Sequence, residues 1–390
     1  MRNKKTVSYI SRITFPEFPV WTGAADKRIP FGFDMEITAR CNLNCRHCYI
    51  NLPARDLKAR NKELTVAEIE RIAGEAAGLG AVWCLITGGE PLLRQDFAEI
   101  YMVLKKKGLL LSVFTNATLV REEHVRLFRE YPPRDVEVTV YGVTRATYER
   151  ITRVPGSFDA FMNGLNLLMA GGIKVRLKAM AMRSNLHELD EIAAFCRSKT
   201  KDFFRFDPFL NYRLDRNQSR NAEIESERLA PEEIAALEKK DPERFEGMKK
   251  YRDELIFPGR VEWPNRRLFH CGVGRRNFYI GWDGKYRPCL PLVHPDFLYD
   301  LRRGNLAEAW NDFTPRVLSR EARSAVFLEK CGSCPIVNLC MWCPALAYLE
   351  TGDLEGYVDY FCRVAKARAA NLEGSLKNMC RVRYISDSLG

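Results

Sequence analysis

Six strand-like stretches of the chain alternate with helix-like stretches. Each strand-like stretch is short and either apolar or alternately apolar and polar, whereas the stretches between them carry apolar residues at helical spacing. The predicted strands are residues 31–38, 81–87, 109–115, 136–141, 174–180 and 203–206, with predicted helices at 96–107, 122–130, 158–170 and 187–197. Strands and helices that alternate in this order form a parallel sheet covered by helices, so we predict an α/β fold.

A partial (β/α)6 barrel fits this pattern best. The periodicity alone leaves a flat doubly wound sheet open, because both architectures use the same local units. A further helix has a clear start, since Thr65 and Glu68 form a Ser/Thr-x-x-Glu capping box. In both architectures ligands bind beyond the C-terminal ends of the strands, so the polar residues that follow a strand are the candidate site residues.

Three cysteines, Cys41, Cys45 and Cys48, follow the first predicted strand. A Cys-x3-Cys-x2-Cys loop supplies three thiolates, and a cubane cluster has four irons, which leaves one iron for an outside ligand. A zinc site takes four ligands, commonly from two Cys-x2-Cys pairs about 15 to 20 residues apart. No fourth partner lies near Cys48 except His47, so zinc is the weaker alternative, and disulfides are weaker still.

A Gly-Gly-Glu-Pro turn, Gly88 to Pro91, ends the second predicted strand, about 40 residues after the cysteine loop. Two glycines allow the backbone to approach a ligand without interference from Cβ atoms. Together the cysteine loop and this turn resemble the signature of the radical S-adenosylmethionine (SAM) superfamily. In that family three cysteines bind a 4Fe-4S cluster whose free iron chelates SAM, and the fold is a six-stranded partial barrel.

The resemblance also implies contacts with SAM. It gives Gly88, Gly89, Glu90 and Pro91 the role of holding the amino group of SAM. Asn116 and Thr139, at the ends of the next two strands, resemble positions that contact the ribose and adenine, and Arg153 resembles an arginine that meets the carboxylate. Asp207, just past the last strand, is a candidate catalytic base, with a turn cap as the simpler alternative.

The C-terminal third holds a second set of cysteines, at Cys271, Cys289, Cys331, Cys334, Cys340, Cys343 and Cys362. Residues 279–288 predict a hairpin with its turn at Asp283-Gly284, which would bring Cys271 and Cys289 together. The order of these cysteines resembles the SPASM domain, a C-terminal extension that holds two auxiliary 4Fe-4S clusters. The cysteine spacing differs from the SPASM pattern at one position, since two residues separate Cys340 from Cys343 where that family usually has three.

By that resemblance one auxiliary cluster takes Cys331, Cys334, Cys340 and Cys362, and the other takes Cys271, Cys289 and Cys343. The fourth ligand of the second cluster is left open. It could be Cys380 or His270, or the cluster could have no fourth protein ligand. A zinc ribbon is the alternative for these pairs, but five residues between Cys334 and Cys340 are fewer than its usual spacing of about 15 to 20. Cys84 and Cys196 lie on apolar faces, which predicts core packing.

The chain has 390 residues, and we expect five regions in it. They are an N-terminal extension (1–33), the barrel (34–210), a charged helical connector (211–265), a small, irregular iron–sulfur-binding α+β domain of the SPASM type (266–365) and a tail (366–390). The simplest interpretation of the connector is a solvated linker, and the alternative is a cap over the substrate cavity.

The overall charge is +11, but the basic runs are scattered, so we expect no nucleic-acid partner. No apolar run approaches the roughly 18 residues of a membrane span, and no secretory leader follows Met1. Thirteen cysteines without a leader indicate a reducing compartment. We therefore expect a cytoplasmic protein that has no membrane partner.

The resemblance implies an oxidoreductase that cleaves SAM reductively to a 5′-deoxyadenosyl radical and abstracts hydrogen from its substrate. Radical SAM enzymes with SPASM extensions mostly modify peptides or proteins, so we expect a crosslink or an oxidation in a peptide or protein side chain. The alternatives are small-molecule or tetrapyrrole modification, and a non-catalytic electron-transfer protein, for which an intact SAM motif has no purpose. The expected partners are the substrate, a reductant of the flavodoxin or ferredoxin type and, because about 33 residues precede the barrel, a separate leader-binding protein.

Overall fold

A nine-stranded sheet organises the part of the chain that the structure, a computed structural model, describes: residues 27–201, 204–259 and 266–373. The strands are β1 Gly32–Thr38, β2 Trp83–Gly88, β3 Leu110–Thr115, β4 Asp135–Thr139, β5 Val175–Met180, β6 Arg205–Asp207, β7 Asn277–Ile280, β8 Lys285–Arg287 and β9 Tyr299–Asp300. Their order across the sheet is β9-β8-β7-β1-β2-β3-β4-β5-β6.

Strands β1 to β6 are parallel and lie side by side in chain order. A doubly wound sheet reverses its strand order at a switch point, and no reversal occurs here. The sequential order therefore confirms the predicted partial barrel and excludes the flat alternative. The predicted strand ends lie within two residues of the observed ends, and residue 203, the predicted start of the last strand, lies outside the described residues.

Helices cover the outer face of these strands. They are α1 Val66–Gly78, α2 Phe97–Lys106, α3 Glu122–Glu130, α4 Arg145–Thr152, α5 Ser157–Ala170 and α6 Leu189–Lys199. The capping box at the start of α1 is confirmed, since the Thr65 hydroxyl accepts from the Glu68 amide and the Glu68 carboxylate accepts from the Thr65 amide. Helix α4 was not predicted, because it is short and charged and shows little apolar periodicity.

The alternation of the strands separates an apolar outer face from a polar interior. On β1, Phe33, Met35 and Ile37 are buried in the main core beneath the helices. Asp34 and Glu36 therefore face the inside of the barrel, since neighbouring side chains on a strand point to opposite faces. Cys84 and Cys196 are both 1% exposed and lie in the same core, as predicted.

The C-terminal part adds three strands to the barrel sheet. Strand β7 pairs in parallel with β1, from Gly32 opposite Asn277 to Met35 opposite Ile280. Strands β7 and β8 form the predicted hairpin, and Gly284 in its turn has a φ of 81°, which suits glycine. The prediction did not include the union of this hairpin with the barrel sheet, because distant strand pairing leaves no local signal.

The connector is packed against the molecule and is not a solvated linker, contrary to the simplest expectation. Its helices are α7 Gln218–Glu227, α8 Pro231–Lys240 and α9 Pro242–Lys250, followed by a short helical turn at Arg252–Leu255. Ile234 and Glu238 of α8 are buried, and the Glu238 carboxylate accepts hydrogen bonds of 2.6 and 2.7 Å from Arg368. A charge-rich helix can therefore be buried when its charges are paired.

The remaining helices are α10 Pro344–Thr351 and α11 Asp359–Glu373, and Arg368 lies on α11. Short helical segments occur at Leu57–Arg60, Pro91–Leu93, Leu186–Glu188, Pro295–Phe297, Leu306–Glu308, Ala309–Phe313, Thr314–Leu318, Ala325–Lys330 and Val337–Leu339. Across residues 27–201, 204–259 and 266–373, none of the helices combines the length and the apolarity that spanning a bilayer requires.

Candidate active site

The cysteine loop leaves the C-terminal end of β1 and packs its three thiols together. Cys41 and Cys45 are buried, and Cys48 is half-buried. Burial, together with the neighbouring thiols and Glu90, raises the pKa of Cys41 well above its usual value, and burial raises the pKa of Cys45 as well. Three thiolates at this spacing repel one another and require cations, which bound iron supplies.

Hydrogen-bond donors surround these sulfur atoms. The Leu43 amide lies 3.4 Å from Cys41 Sγ, and the Asn51 amide lies 3.3 Å from Cys48 Sγ. The side-chain amide of Asn116 lies 3.7 Å from Cys41 Sγ. Donors of this kind stabilise charged sulfur, so the donor set fits an iron–sulfur cluster.

Among the described residues, no three His, Cys, Asp or Glu side chains are placed to hold a single metal ion. A four-iron cluster takes each cysteine on a different iron, so its ligands stand further apart than the ligands of one ion. The finding therefore concerns single ions and not a cluster.

A buried network that the sequence did not reveal fixes the start of the cysteine loop. The Arg40 guanidinium forms two hydrogen bonds with the Glu63 carboxylate, at 2.7 and 3.0 Å, and both residues are buried. The Thr38 hydroxyl donates to the same carboxylate at 2.5 Å. Since Arg40 directly precedes Cys41, this network sets the direction in which the loop leaves β1.

The two glycines of the second strand end pack against the chain itself. A Cβ atom on Gly88 would lie 2.1 Å from the Thr38 carbonyl oxygen, and one on Gly89 would lie 2.3 Å from the Arg40 carbonyl oxygen. Gly88 also has a φ of 144°, which other residues rarely adopt. The glycines therefore allow β2 to end directly beneath the cysteine loop, and both still line the cavity described below.

Glu90 lies behind the cavity wall. It is fully buried, and its carboxylate accepts hydrogen bonds from the Thr115 hydroxyl at 2.8 Å and from the amides of Asn116 and Leu92 at 2.8 and 3.0 Å. Burial raises the pKa of Glu90 to about 7, although these hydrogen bonds oppose the shift. Glu90 therefore ties the end of β2 to the end of β3, and Pro91 begins the short helix that follows.

A cavity of about 270 Å³ opens beside the cysteine loop at the C-terminal ends of the strands. Of the expected site residues, it is lined by Cys41, Cys45, Cys48, Gly88, Gly89, Asn116, Thr139 and Asp207. Asp207 also accepts a hydrogen bond from the Phe209 amide at 2.9 Å, so it combines a place at the cavity with the turn cap given as the alternative.

Lys178 and Glu137 add a buried ion pair to the cavity wall, which the sequence analysis missed. Lys178 Nζ lies 2.5 Å from Glu137 Oε1 and 3.8 Å from the centre of the Phe114 ring. Lys178 lies on β5, Glu137 on β4 and Phe114 on β3, and all three face the inside of the barrel. The strand alternation could have identified Glu137 and Lys178, because each stands between apolar neighbours that face the core.

His47 and Tyr141 line the same cavity. Their ring centres lie 5.1 Å apart, and His47 Nδ1 has no hydrogen-bond partner among the described residues. Burial lowers the pKa of His47 to about 4, so the imidazole is neutral at physiological pH. Tyr141 lies two residues beyond the end of β4, and its side chain hydrogen-bonds Cys45.

Arg153 lies at the end of α4 and does not line the cavity. Its guanidinium forms an ion pair with Glu223 of α7 at 2.8 Å. Arg220, also on α7, shares Glu223 at 2.6 Å and donates a hydrogen bond of 2.9 Å to the Cys45 carbonyl. The structure therefore places Arg153 behind the cysteine loop, in an ion-pair network with the connector.

Arg213 makes a second contact between the connector and the cysteine loop. It is 3% exposed, and its Nη1 donates to the carbonyl of Asn51 at 3.2 Å and to the side-chain oxygen of Asn51 at 3.0 Å. The Leu214 amide donates to the Tyr49 carbonyl at 3.0 Å. Arg213 and Arg220 therefore hold the backbone of the loop from the connector side.

A second cavity of about 220 Å³ lies towards the N-terminal ends of the strands. It shares Phe114 and Glu137 with the first cavity, so the two are neighbouring parts of one barrel interior. Asp34 lines it, and burial together with nearby Glu36 raises the pKa of Asp34 to about 6.

The C-terminal cysteines form two groups in the structure. Burial raises the pKa of Cys289 to about 12, and the neighbouring thiols of Cys343 and Cys271 add to the shift. Burial likewise raises the pKa of Cys340 to about 12, with added effects from Cys362, Cys334 and Cys331. Cys343 and Cys271 therefore lie near Cys289, and Cys331, Cys334 and Cys362 lie near Cys340.

Cys343 lies at the N-terminus of α10, where its sulfur accepts from the Leu346 amide at 3.4 Å. The shortened spacing after Cys340 therefore leaves Cys343 beside Cys271 and Cys289. Of the two named candidates for a fourth ligand, His270 is exposed, and Cys380 lies outside the described residues.

Comparison with known proteins gives the family. Residues 35–196 match the model of the radical SAM superfamily. The Fe-coproporphyrin III synthase of Methanosarcina barkeri is 33% identical over 156 residues, which cover 40% of this chain and only 38% of that protein. The AdoMet-dependent heme synthase of the same organism is 25% identical, over 82% of this chain and 92% of that protein.

A peptide-modifying relative matches over a similar length. The antilisterial bacteriocin subtilosin biosynthesis protein AlbA of Bacillus subtilis is 24% identical, over 83% of this chain and 69% of that protein. The fold is similar to the crystal structure of Streptococcus suis SuiB bound to S-adenosylmethionine, with a TM-score of 0.63, 15% identity, and coverage of 93% of this chain and 83% of that one.

The matches to the heme synthase, to AlbA and to SuiB each cover more than 80% of this chain, so they extend beyond the barrel. The family implies a 4Fe-4S cluster and SAM as cofactors. Residues 35–196 therefore form a radical SAM domain, and the order of the C-terminal cysteines resembles that of the SPASM extension.

Proposed function

We propose that this enzyme modifies a side chain of a peptide or protein, by a crosslink or an oxidation. When bound, the cluster and SAM supply a 5′-deoxyadenosyl radical that abstracts hydrogen from the substrate. The protein holds the substrate in the barrel interior and excludes water from it. The similarity to AlbA, a bacteriocin biosynthesis protein, over 83% of this chain supports a peptide substrate.

The observation that carries this proposal is the charge of the cavity wall. Apart from the thiols and His47, the charged side chains among its described lining residues are Glu137, Lys178 and Asp207. Glu137 neutralises Lys178, so Asp207 is the remaining charge among the described side chains that line the cavity. Backbone amides of a peptide find hydrogen-bond acceptors in such a cavity, whereas a substrate with several carboxylates finds no free cation among these residues.

Each site residue has a proposed role that follows from its position. Cys41, Cys45 and Cys48 bind the cluster that holds SAM, and Gly88, Gly89, Asn116 and Thr139 contact SAM from the cavity wall. Glu90, Pro91 and Arg153 lie behind that wall, so we assign them to positioning the strand ends and the loop. Asp207 is the proposed base for the proton released when the substrate is oxidised.

The C-terminal cysteines complete a proposed total of three 4Fe-4S clusters. One auxiliary cluster is bound by Cys331, Cys334, Cys340 and Cys362, and the other by Cys271, Cys289 and Cys343. An auxiliary cluster would accept the electron that the substrate radical loses, while a flavodoxin or ferredoxin would reduce the first cluster. We place the enzyme in the cytoplasm and divide it into the five regions expected from its sequence. A separate protein would bind any leader peptide.

Tetrapyrrole modification is the second candidate, because the similarity to the AdoMet-dependent heme synthase covers 82% of this chain. The two candidates differ in the charge that the substrate brings into the barrel. A direct comparison of substrates therefore separates them.

The test offers both substrate classes to the anaerobically reconstituted protein with SAM and dithionite. One sample contains synthetic peptides encoded by short reading frames beside the gene, and the other contains Fe-coproporphyrin III, an iron porphyrin that becomes haem when two of its propionates are oxidatively decarboxylated, which makes it a suitable substrate for a heme synthase. We expect a mass change in a peptide and 5′-deoxyadenosine above the substrate-free level. Conversion of the porphyrin with unchanged peptides would overturn the proposal, and the Cys45→Ala protein serves as the inactive control in both samples.

A further inference from the structure

The chain that leaves the cysteine loop exposes a large apolar side chain. Leu57 begins the short helical segment Leu57–Arg60 and is 66% exposed, more than any other large apolar residue in the described part of the chain. Ala59, on the opposite side of the same turn, is 3% exposed and anchors it. Single exposed apolar residues are common on protein surfaces, so the meaning of Leu57 depends on its neighbours.

The neighbours of Leu57 are cations without an ionic partner. We call residues 53–62 the basic segment. All of its cations are exposed, and none forms an ion pair with a described residue: Arg55, Lys58, Arg60 and Lys62. The one acidic side chain of the segment, Asp56, accepts a hydrogen bond of 2.9 Å from the Ala59 amide. An apolar centre among unpaired cations suits a partner whose surface is acidic.

The basic segment is fixed against the cysteine loop at both of its ends. Pro53, its first residue, pairs with Cys41 in a short parallel bridge, so the two backbones lie about 5 Å apart. At the other end, Arg302 Nη2 donates a hydrogen bond of 3.0 Å to the Lys62 carbonyl. The exposed cations therefore stand on a well-held backbone directly beside the first cysteine of the loop.

The size and the chemistry of this surface fit an electron-transfer partner. Complexes between electron-transfer proteins bury less than about 1,200 Å² in total, and opposite charges speed their formation. An acidic flavodoxin carries carboxylates around the exposed apolar edge of its flavin. The basic segment has the complementary arrangement, and it lies beside the thiols at which an electron must arrive.

We propose that the basic segment is the docking surface for an acidic flavodoxin, with Leu57 against the flavin edge and the four cations against the surrounding carboxylates. The proposal rests on the proposed function, in which Cys41, Cys45 and Cys48 bind a 4Fe-4S cluster that a separate protein reduces. In the docked complex one electron leaves the anionic flavin hydroquinone, which becomes the neutral semiquinone, and enters the cluster. No proton is transferred and no bond is broken in this step.

The test measures the affinity of the reconstituted full-length protein for a purified acidic flavodoxin in the absence of SAM. In Lys58→Glu/Arg60→Glu we expect binding to weaken roughly tenfold or more at about 0.1 M salt, and the difference from the parent to shrink as salt screens the charges. In Leu57→Ser we expect a smaller loss that salt does not remove, because the lost contact is apolar.

The matched control is Lys106→Glu/Arg126→Glu, which changes the net charge by the same amount. These two cations lie on α2 and α3, are exposed, and form no ion pair with a described residue. We expect the control to bind flavodoxin like the parent, since a cation outside the docking surface contributes little.

The rate of cluster reduction, followed by the loss of visible absorbance, separates docking from damage to the cluster. We expect the Lys58→Glu/Arg60→Glu protein to be reduced more slowly by reduced flavodoxin and at the parental rate by dithionite, which needs no docking surface. An equal slowing with dithionite would overturn the proposal. Parental affinity for flavodoxin in the folded double variant would also overturn it, as would an equal loss of affinity in the control.

Other occupants of the surface give different results. Weaker binding of an acidic ferredoxin or of a substrate peptide, with unchanged binding of flavodoxin, would overturn the proposal and assign the segment to that partner. If the double variant does not fold, Lys58→Glu alone decides by the same criteria. Unmodified peptides in a parent protein that binds flavodoxin through this surface would refute the proposed function alone.

Discussion

At the scale of single residues, the site depends on two backbones that approach each other too closely for a side chain. Gly89 packs directly against the Arg40 carbonyl, where the cysteine loop begins. The polar strand-end residues Asn116 and Thr139 then line the cavity from the neighbouring strands. The geometry of the thiols is therefore set by the strand ends beneath them.

The variant Gly89→Ala tests this close approach. Its Cβ atom would lie 2.3 Å from the Arg40 carbonyl oxygen, so the strand end or the loop must move. We expect a loss of about 1–3 kcal/mol in stability, typical of overpacking, and at least a tenfold slower cleavage of SAM. Thermal unfolding and 5′-deoxyadenosine formation measure the two effects.

The matched control is Gly247→Ala, because Gly247 lies within α9 and has no atom within 4 Å of its added Cβ. Alanine is the better helix former by about 0.5–1 kcal/mol, so this variant should be at least as stable as the parent. Equal behaviour of the two glycine variants would contradict the account of the strand end.

At the scale of elements, helix α7 and the turn before it act on the cysteine loop. Arg220 donates to the Cys45 carbonyl at 2.9 Å, and Arg213 donates to Asn51. In Arg220→Gln we expect the loop to hold iron less firmly and SAM cleavage to slow roughly tenfold, since a hydrogen bond from a charged group contributes about 1.5–3 kcal/mol. Iron content after gel filtration and the rate of 5′-deoxyadenosine formation are the measurements.

Arg252→Gln is the control for this prediction, since Arg252 belongs to the same connector but pairs weakly with an exposed Asp253. Parental iron content and parental rates of 5′-deoxyadenosine formation in both variants would show that the hydrogen bond from Arg220 to Cys45 has no role in the loop.

A second contact between elements joins α1 to the C-terminal part. The Arg302 side chain hydrogen-bonds Glu68 at 2.7 Å and lowers the pKa of that carboxyl to about 2. A depressed pKa stabilises the fold above the unfolded value near 4.5, and the stabilisation is lost as the pH falls towards 2. We expect Glu68→Gln to lower stability by about 1 kcal/mol at pH 7, and the difference from the parent to narrow below pH 4.

Thermal unfolding of parent and variant at pH 7, 5 and 3.5 measures this dependence. Glu70→Gln, on the same helix but in a more exposed pair with Lys107, should change little at any pH. A constant difference between Glu68→Gln and the parent at all three values would refute the assignment of the shift to Arg302.

At the scale of the whole molecule, β1 connects the two cysteine regions. Cys41 follows its C-terminal end, while the register of β7 and β8 places Arg287, two residues before Cys289, level with Asp34 in its N-terminal half. At about 3.3 Å per residue these positions lie on the order of 20 Å apart along the barrel. The barrel interior, with Asp34, Glu137 and Lys178, lies between them. A substrate held there would lie between the proposed sites of hydrogen abstraction and electron acceptance.

The sequence predicted the features that depend on local pattern. The six strands follow from apolar alternation, the start of α1 from Thr65 and Glu68, and the hairpin from its Asp283-Gly284 turn. Long-range contacts were not predictable, because no local pattern encodes them. The pairing of β7 with β1, the Arg220 contact with Cys45 and the placement of Arg153 behind the loop all join distant parts of the chain.

The most direct measurement is the formation of 5′-deoxyadenosine and methionine by the anaerobically reconstituted protein with SAM and dithionite. The account predicts turnover in the parent and in Cys196→Ala, whose thiol is buried in the core. It predicts none in Cys45→Ala. Cleavage of SAM by Cys45→Ala at the parent rate, or intact SAM in a parent protein that carries its iron, would contradict it.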